Sequence, residues 1–321
     1  MIDVLFTAAG LALLLASGEA LVRGAVACAG RLGVSPLVVG LTIVGFGTSV
    51  PELAVGVEAA LAGAPGIALG TIVGSNIANL LLILGGSAAL APMIVRPDAI
   101  RRDGLATLAA TGAFVALAYG GTLGTARGAA MLLLLAIYVA WSLWSDRHGG
   151  DAAATLHREE AEAGRAIFGA PRAVWGIAAS ILGGIAGLAI GARFVVDGAG
   201  GIARAAGVPD EIVGLTLVAV GTSLPELITS LAAARRGAAD VAIGNILGSN
   251  IFNLLGIGGA AALAAPLAVP PAMLRADLWM LAGVSAVVIG VMLICRRIVP
   301  AAGWALLAAY AGYVAWRFAA A

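Results

Sequence analysis

Two stretches of this chain are versions of a single sequence. Residues 39–86 read VGLTIVGFGTSVPELAVGVEAALAGAPGIALGTIVGSNIANLLLILGG, and residues 213–260 read VGLTLVAVGTSLPELITSLAAARRGAADVAIGNILGSNIFNLLGIGGA. At a constant offset of 174 and without a gap, 27 of the 48 positions are identical. Apolar segments share composition by chance, but chance does not set GTSxPEL and GSNIxNLL in register twice. This is an internal duplication, so the fold must contain two equivalent halves.

The setting of those halves follows from charge. Only 11% of the 321 residues are charged and 61% are hydrophobic, whereas a water-soluble domain carries about a quarter charged residues. Eighteen Arg, with no Lys, face 17 Asp plus Glu, so no basic stripe argues for nucleic acid. The 46 glycines follow no Gly-X-Y period. What fits is an all-α membrane protein. Ten apolar stretches, each near the ~20 residues that a spanning helix needs, are expected at 4–22, 36–62, 67–92, 104–121, 128–145, 173–194, 211–234, 240–266, 278–295 and 300–318. The one sustained hydrophilic segment, 146–172, divides a first half (1–145) from a second (173–321).

Five helices per half is an odd number, so the second half enters the membrane from the opposite side. The expected architecture is therefore ten transmembrane helices as two inverted-topology five-helix repeats. The arginines give an orientation independently. With the N-terminus outside, thirteen Arg fall on the cytoplasmic side, and only Arg127, Arg193, Arg204, Arg275 and Arg317 fall outside. That is the positive-inside bias for external termini and a cytoplasmic 146–172 segment. The first apolar stretch has Asp3 and no Arg before Arg23. It reads as a retained helix rather than a secretion signal, which opens on positive charge.

Enzyme chemistry has little to work with. Cys28 and Cys295 lie far apart and match no metal or redox motif, and His148 and His157 both sit in the hydrophilic segment. No HExxH, histidine triad or GxxxxGK[ST] phosphate loop occurs. No enzymatic activity, cofactor or obligate protein partner is expected; small cations and the lipid bilayer are the expected partners.

Glu52 and Glu226 occupy equivalent positions deep in apolar stretches. A carboxylate at that depth costs at least ~2.5–3.5 kcal/mol and is a functional candidate. Each follows a proline, which breaks a helix interior but suits a first turn. Ser49 with Glu52, and Ser223 with Glu226, have capping-box spacing. The second and seventh helices should therefore stop near Gly47 and Gly221 and restart at Pro51 and Pro225. Such breaks would free carbonyls, including those of Gly45 and Ala219, to bind cations, which is tolerated only where the backbone lines a cavity or is buried. The plainer alternative is that Ser and Glu merely cap a kinked helix.

The second motif, Gly-Ser-Asn-Ile-x-Asn, places Ser75 with Asn79, and Ser249 with Asn253, four apart on one helical face. Neutral hydroxyl and amide oxygens suit Na⁺ or Ca²⁺. Asn79 and Asn253 each follow their half's glutamate by 27 residues and read as ligands. Asn76 and Asn250 read as interhelical hydrogen-bonding residues.

At these motifs the sequence resembles the cation/calcium exchanger superfamily, specifically its prokaryotic sodium/calcium exchanger branch. GTSVPE…GSNIAN and GTSLPE…GSNIFN correspond to that family's two α-repeats. The resemblance implies a secondary antiporter of the prokaryotic inner membrane, exchanging Na⁺ for Ca²⁺ by alternating access. It implies Glu52 and Glu226 as central ligands, joined by Thr48, Ser49, Ser75, Asn79, Thr222, Ser223, Ser249 and Asn253 and by the carbonyls of Gly45 and Ala219. It also implies that the first and sixth helices slide. Some members carry Asp where Asn253 stands, so this pocket holds two carboxylates instead of three. Two carboxylates match the charge of one Ca²⁺ or two Na⁺. A third Na⁺, which the resemblance implies, would need hydroxyls and carbonyls. Proton-coupled or K⁺-dependent Ca²⁺ antiport is the nearest alternative, although the proton-coupled relatives carry Gly-Asn-Ala-x-Glu in place of GTSxPE. A passive cation channel is an alternative of another class.

Overall fold

The computed structural model of the chain describes residues 2–95, 97–147, 171, 173–205, 219–295 and 297–319. Most of the hydrophilic segment, and residues 211–218 of the expected seventh helix, lie outside the described residues. The first half runs α1 (Ile2–Leu32), α2 (Pro36–Val39, the π-helical turn Gly40–Val44 and Gly45–Thr48), α3 (Val50–Leu61) and α4 (Pro65–Leu90). It ends with β1 (Met93–Ile94), α5 (Pro97–Ala118), β2 (Thr122–Leu123) and α6 (Thr125–Arg147). The second runs α7 (Val174–Ala205), α8 (Ala219–Thr222), α9 (Leu224–Arg235) and α10 (Ala239–Ala264), then β3 (Leu267–Ala268), α11 (Met273–Ile294), β4 (Arg297–Ile298) and α12 (Pro300–Ala319).

Each expected apolar stretch is mainly helical where it is described, apart from the break at Ser49 and a few residues at the ends of stretches, but the spans do not number ten by length and apolarity. Among the described residues six helices are long and apolar enough to cross a membrane, and seven if α2 and α3 count as one span bent by 47°. The shortfall has a cause in each case. Asp98, Arg101, Arg102 and Asp103 crowd the first turns of α5, and α12 carries Trp304, Tyr310, Tyr313, Trp316 and Arg317. The early part of the seventh helix is not described.

The halves interlock reciprocally. Contacts between α4 and α12 recur, with halves exchanged, between α10 and α6; those of α3 with α10 recur between α9 and α4. β1 pairs with β4 and β2 with β3, both antiparallel, so each two-residue pairing joins one half to the other. At the centre stand α4 and α10, with 72% and 83% of their most apolar stretches buried, against 28% for α1, α6 and α7. Outward-facing Leu133, Ile137, Leu182, Val287 and Ile294 are exposed, as helices immersed in lipid require.

Two glycines explain why the repeated helices turn alike. Gly63 and Gly237, equivalent positions, have φ of +71° and +73°. Each ends its helix with paired bonds to the preceding turn: Ala64 N–H to Ala59 O at 2.9 Å and Gly63 N–H to Ala60 O at 3.1 Å in one half, and Ala238 N–H to Ala233 O at 2.9 Å and Gly237 N–H to Ala234 O at 3.0 Å in the other. A left-handed residue closes such a cap, and glycine adopts that conformation without Cβ strain.

α1 and α7 extend about ten residues beyond the 4–22 and 173–194 stretches, and they pack chiefly on each other. Glu19 and Arg23 therefore lie within the helix, well before its end at Leu32. The pair is bonded at 3.1 Å, and Glu19 also pairs with Arg236. Their counterparts Arg193 and Asp197 repeat the couple with the charges exchanged, at 3.7 Å.

Candidate ion-binding site

The break in each repeated helix falls at a serine. Ser49 (φ −84°, ψ 10°) separates α2 from α3, and Ser223 (φ −88°, ψ 2°) separates α8 from α9, with Pro51 and Pro225 in the turns that restart. The helices thus run one residue further than Gly47 and Gly221. The backbone continues across the gap, since Leu53 N–H reaches Ser49 O and Leu227 N–H reaches Ser223 O, both at 3.1 Å.

The capping boxes do not form. Neither serine side chain caps its own helix. Ser49 Oγ instead donates to Glu226 Oε1 at 2.7 Å, and Ser223 Oγ donates to Glu52 Oε1 at 3.2 Å. A serine hydroxyl donating to a charged carboxylate makes a stronger hydrogen bond than the same oxygen accepting from a neutral backbone N–H. The crossed bonds bring both breaks and both glutamates to one place.

Each glutamate is 1% exposed. Glu52 Oε2 and Glu226 Oε2 are buried without a hydrogen-bond donor, and so are Asn79 Oδ1 and Asn253 Oδ1. Buried acceptors of this kind are costly unless something electropositive meets them. Asn79 Nδ2 donates to Asn250 Oδ1 at 2.9 Å, and Asn76 Nδ2 to its own helix at Ile72 O, 2.7 Å. Asn250 therefore joins two helices as expected, whereas Asn76 bonds only within its own helix and its Oδ1 is buried without a donor. Both Asn79 and Asn253 fall in π-helical turns at equivalent positions, Asn79–Ile83 and Phe252–Ile257. Such turns widen the helix and shift the side chains that follow them.

Ser75 and Ser249 are buried, and Ser249 Oγ donates to Gly45 O at 3.0 Å. The break does not strip the Gly45 carbonyl of donors. It also accepts from Ser49 N–H and Thr48 Oγ1, both at 3.3 Å, because the helix persists through Thr48. Ala219 opens the described part of the second broken helix. Among the described residues no three or more His, Cys, Asp or Glu side chains cluster to hold a metal. A cation placed here would meet two carboxylates and otherwise neutral oxygens.

The profile of the sodium/calcium exchanger protein family matches residues 2–144 and 176–319. The chain belongs to that family. The exchanger is 35% identical over 317 residues to the putative antiporter CaxA of Alkalimonas amylolytica, covering 98% of each chain. It is 35% identical to the inner membrane protein YrbG of Escherichia coli (strain K12), over 82% of this chain and 80% of that one. It is 32% identical to the sodium/calcium exchanger MaX1 of Methanosarcina acetivorans, over 84% and 85%. Its fold matches a solved structure of the sodium-calcium exchanger NCX_Mj, soaked with zero Na⁺ and Ca²⁺, with a TM-score of 0.84 at 29% identity over 98% of both chains. The chain is thus an all-helical membrane protein of the cation/Ca²⁺ exchanger kind, and two of these relatives, CaxA and MaX1, bear the names of an antiporter and an exchanger.

Three sets of polar residues escape a reading of the two motifs. Asn245, on α10, hydrogen-bonds both to Thr48 and to the Glu226 backbone. Ser230 and Thr229, on α9, are fully buried. Asp103 and Asp277 are equivalent and buried. Asp103 accepts Arg102 at 2.8 and 2.9 Å and Tyr138 Oη at 3.2 Å, while Asp277 lies 3.5 Å from Arg317. The 174-residue offset carried beyond residue 86 would have exposed that last pair. Glu58 is exposed on α3, and Asp240 sits in the first turn of α10.

Proposed function

We propose that this chain is a secondary antiporter exchanging Na⁺ for Ca²⁺ at a single central site built on Glu52 and Glu226. The observation that carries the reading is the crossed Ser–Glu pair. Each half lends a hydroxyl to the other half's carboxylate, and each carboxylate keeps a buried oxygen without a donor. Two carboxylates balance one Ca²⁺ or two Na⁺, so the ions compete for the same oxygens instead of binding together. Asn79 and Asn253 supply neutral oxygens, and Thr48, Ser49, Ser75, Thr222, Ser223 and Ser249 line the site. The carbonyls of Gly45 and Ala219 complete it. Gly45 O contributes only as the hydroxyls bonded to it turn away. Without a cation two like charges share a buried place, which is expensive. The unloaded carrier should therefore rarely change sides, and this couples the fluxes. If three Na⁺ exchange for one Ca²⁺, each cycle moves one net charge, worth about 2.3 kcal/mol per 100 mV.

In this reading the chain crosses the inner membrane ten times as two inverted five-helix halves, 1–145 and 173–321. The termini are external and 146–172 is cytoplasmic, in keeping with the arginine distribution. The reciprocal contacts between halves are what an inverted repeat produces.

Vesicle flux tests the site. Glu52→Gln and Glu226→Gln variants, matched for insertion, should lose Na⁺-dependent ⁴⁵Ca²⁺ exchange. Normal exchange by either variant would remove the site assignment.

A further inference from the structure

The carboxylate pair is nearly symmetric, but the residues behind it are not. Asn245 stands in α10 where α4 has Thr71; Thr229 and Ser230 stand in α9 where α3 has Val55 and Gly56. Asn245 is fully buried and joins three elements. Its Nδ2 donates to Ser230 Oγ at 2.9 Å and to the Glu226 backbone carbonyl at 3.3 Å, and its Oδ1 accepts from Thr48 Oγ1 at 3.2 Å. Chemistry fixes the amide's orientation. A backbone carbonyl only accepts, so the nitrogen must face Glu226, and the oxygen is left for Thr48.

Thr48 has one hydroxyl proton and two acceptors within hydrogen-bond distance, Asn245 Oδ1 at 3.2 Å and Gly45 O at 3.3 Å. Gly45 O is itself a proposed cation ligand. A hydroxyl coordinates a cation through a lone pair, and its proton must then lie elsewhere. Asn245 Oδ1 is the acceptor that takes this proton without using a ligand oxygen.

We propose that Asn245 is a positioning residue for cation binding: it holds the Thr48 proton and so presents the Thr48 oxygen to the ion. The inference rests on the exchanger reading above. Thr71, at the equivalent place, has a single hydroxyl that cannot donate twice and accept at once in this arrangement. Thr48 and Thr222, equal in the motif, are therefore unequal in function.

The test is a double-mutant cycle in proteoliposomes, reading half-saturating Ca²⁺ and Na⁺ separately from maximal rate. Asn245→Ala, and Asn245→Thr as the symmetrising variant, should raise half-saturating cation about five- to thirty-fold. In a Thr48→Val background the same change should add less than about two-fold; in a Thr222→Val background the losses should multiply. Multiplication with Thr48→Val as well would overturn the proposal, because Asn245 would then act independently, for example as a ligand. Unchanged half-saturation, with only protein yield reduced, would overturn it too. If Asn245→Ala fails to fold, the Asn245→Thr cycle carries the same comparison. Exchange surviving Glu52→Gln and Glu226→Gln would defeat the exchanger-site reading itself. Exchange lost in those variants, alongside a multiplicative Thr48 cycle, would defeat only the role of Asn245.

Discussion

Gly248, in the second GSN motif, lies where close backbone packing adjoins the proposed ion site. A Cβ placed on Gly248 would lie 2.6 Å from both the carbonyl carbon and the Cα of Leu41, and would also strike Leu41 O. Carbon atoms rest at about 3.5 Å or more. Gly248→Ala therefore forces α10 and α2 apart by at least about 0.9 Å, the separation that relieves the carbon contacts alone. The Ser249 Oγ–Gly45 O bond, now 3.0 Å, would stretch to about 3.9 Å, beyond hydrogen-bonding range. Overpacking of this kind costs about 1–3 kcal/mol of stability. A misplacement near 1 Å among groups that must converge costs on the order of 100-fold in rate. The assay is ⁴⁵Ca²⁺ uptake at matched insertion, with thermal unfolding in detergent measured on the same preparation. Gly183→Ala is the control, since Gly183 is exposed on α7 with nothing within 4 Å of a new Cβ. Helix propensity should leave that variant unchanged or slightly more stable. Wild-type flux and wild-type unfolding in Gly248→Ala would refute the claim that this backbone contact sets the site.

Two further outcomes follow from the polar contacts. Ser49→Ala should weaken cation binding more than Ser223→Ala, because Ser49 holds its carboxylate at 2.7 Å and Ser223 at 3.2 Å. The ceiling is about 1.5–3 kcal/mol for a hydrogen bond to a charged group. Ca²⁺ titration of flux checks the order, and a larger effect for Ser223→Ala would contradict it. Asp103→Ala removes the carboxylate that Arg102 and Tyr138 share and should cost about 3–5 kcal/mol. Tyr138→Phe should cost only about 1 kcal/mol. Thermal unfolding ranks the two, and equal losses would show that Asp103 is held mainly by other contacts.

The duplicated motifs made most of the architecture legible, because a carboxylate, a proline and a serine recurring at one offset point to a broken helix wherever they occur. Local pattern could not say where each serine hydroxyl goes. S-x-x-E spacing is satisfied equally by a cap within one helix and by a bond across the molecule, and only tertiary packing decides between them. Helix ends are hard to read for the opposite reason. Glu19 and Arg23 look like punctuation in sequence, yet they pair at 3.1 Å within α1, which runs on to Leu32. Asn245 was hidden because its role lies in a difference between the halves, and a search for repetition overlooks positions where the repeat departs from itself.

The central claim is that buried Glu52 and Glu226 couple Ca²⁺ movement to Na⁺ movement in the opposite direction. Its most direct test is ⁴⁵Ca²⁺ uptake into proteoliposomes of the wild-type chain under outward Na⁺, K⁺ or H⁺ gradients imposed one at a time. Uptake is expected with the Na⁺ gradient and none with K⁺ or H⁺ alone. Uptake driven by a pH gradient without Na⁺, or Ca²⁺ flux that needs no counter-ion, would contradict it.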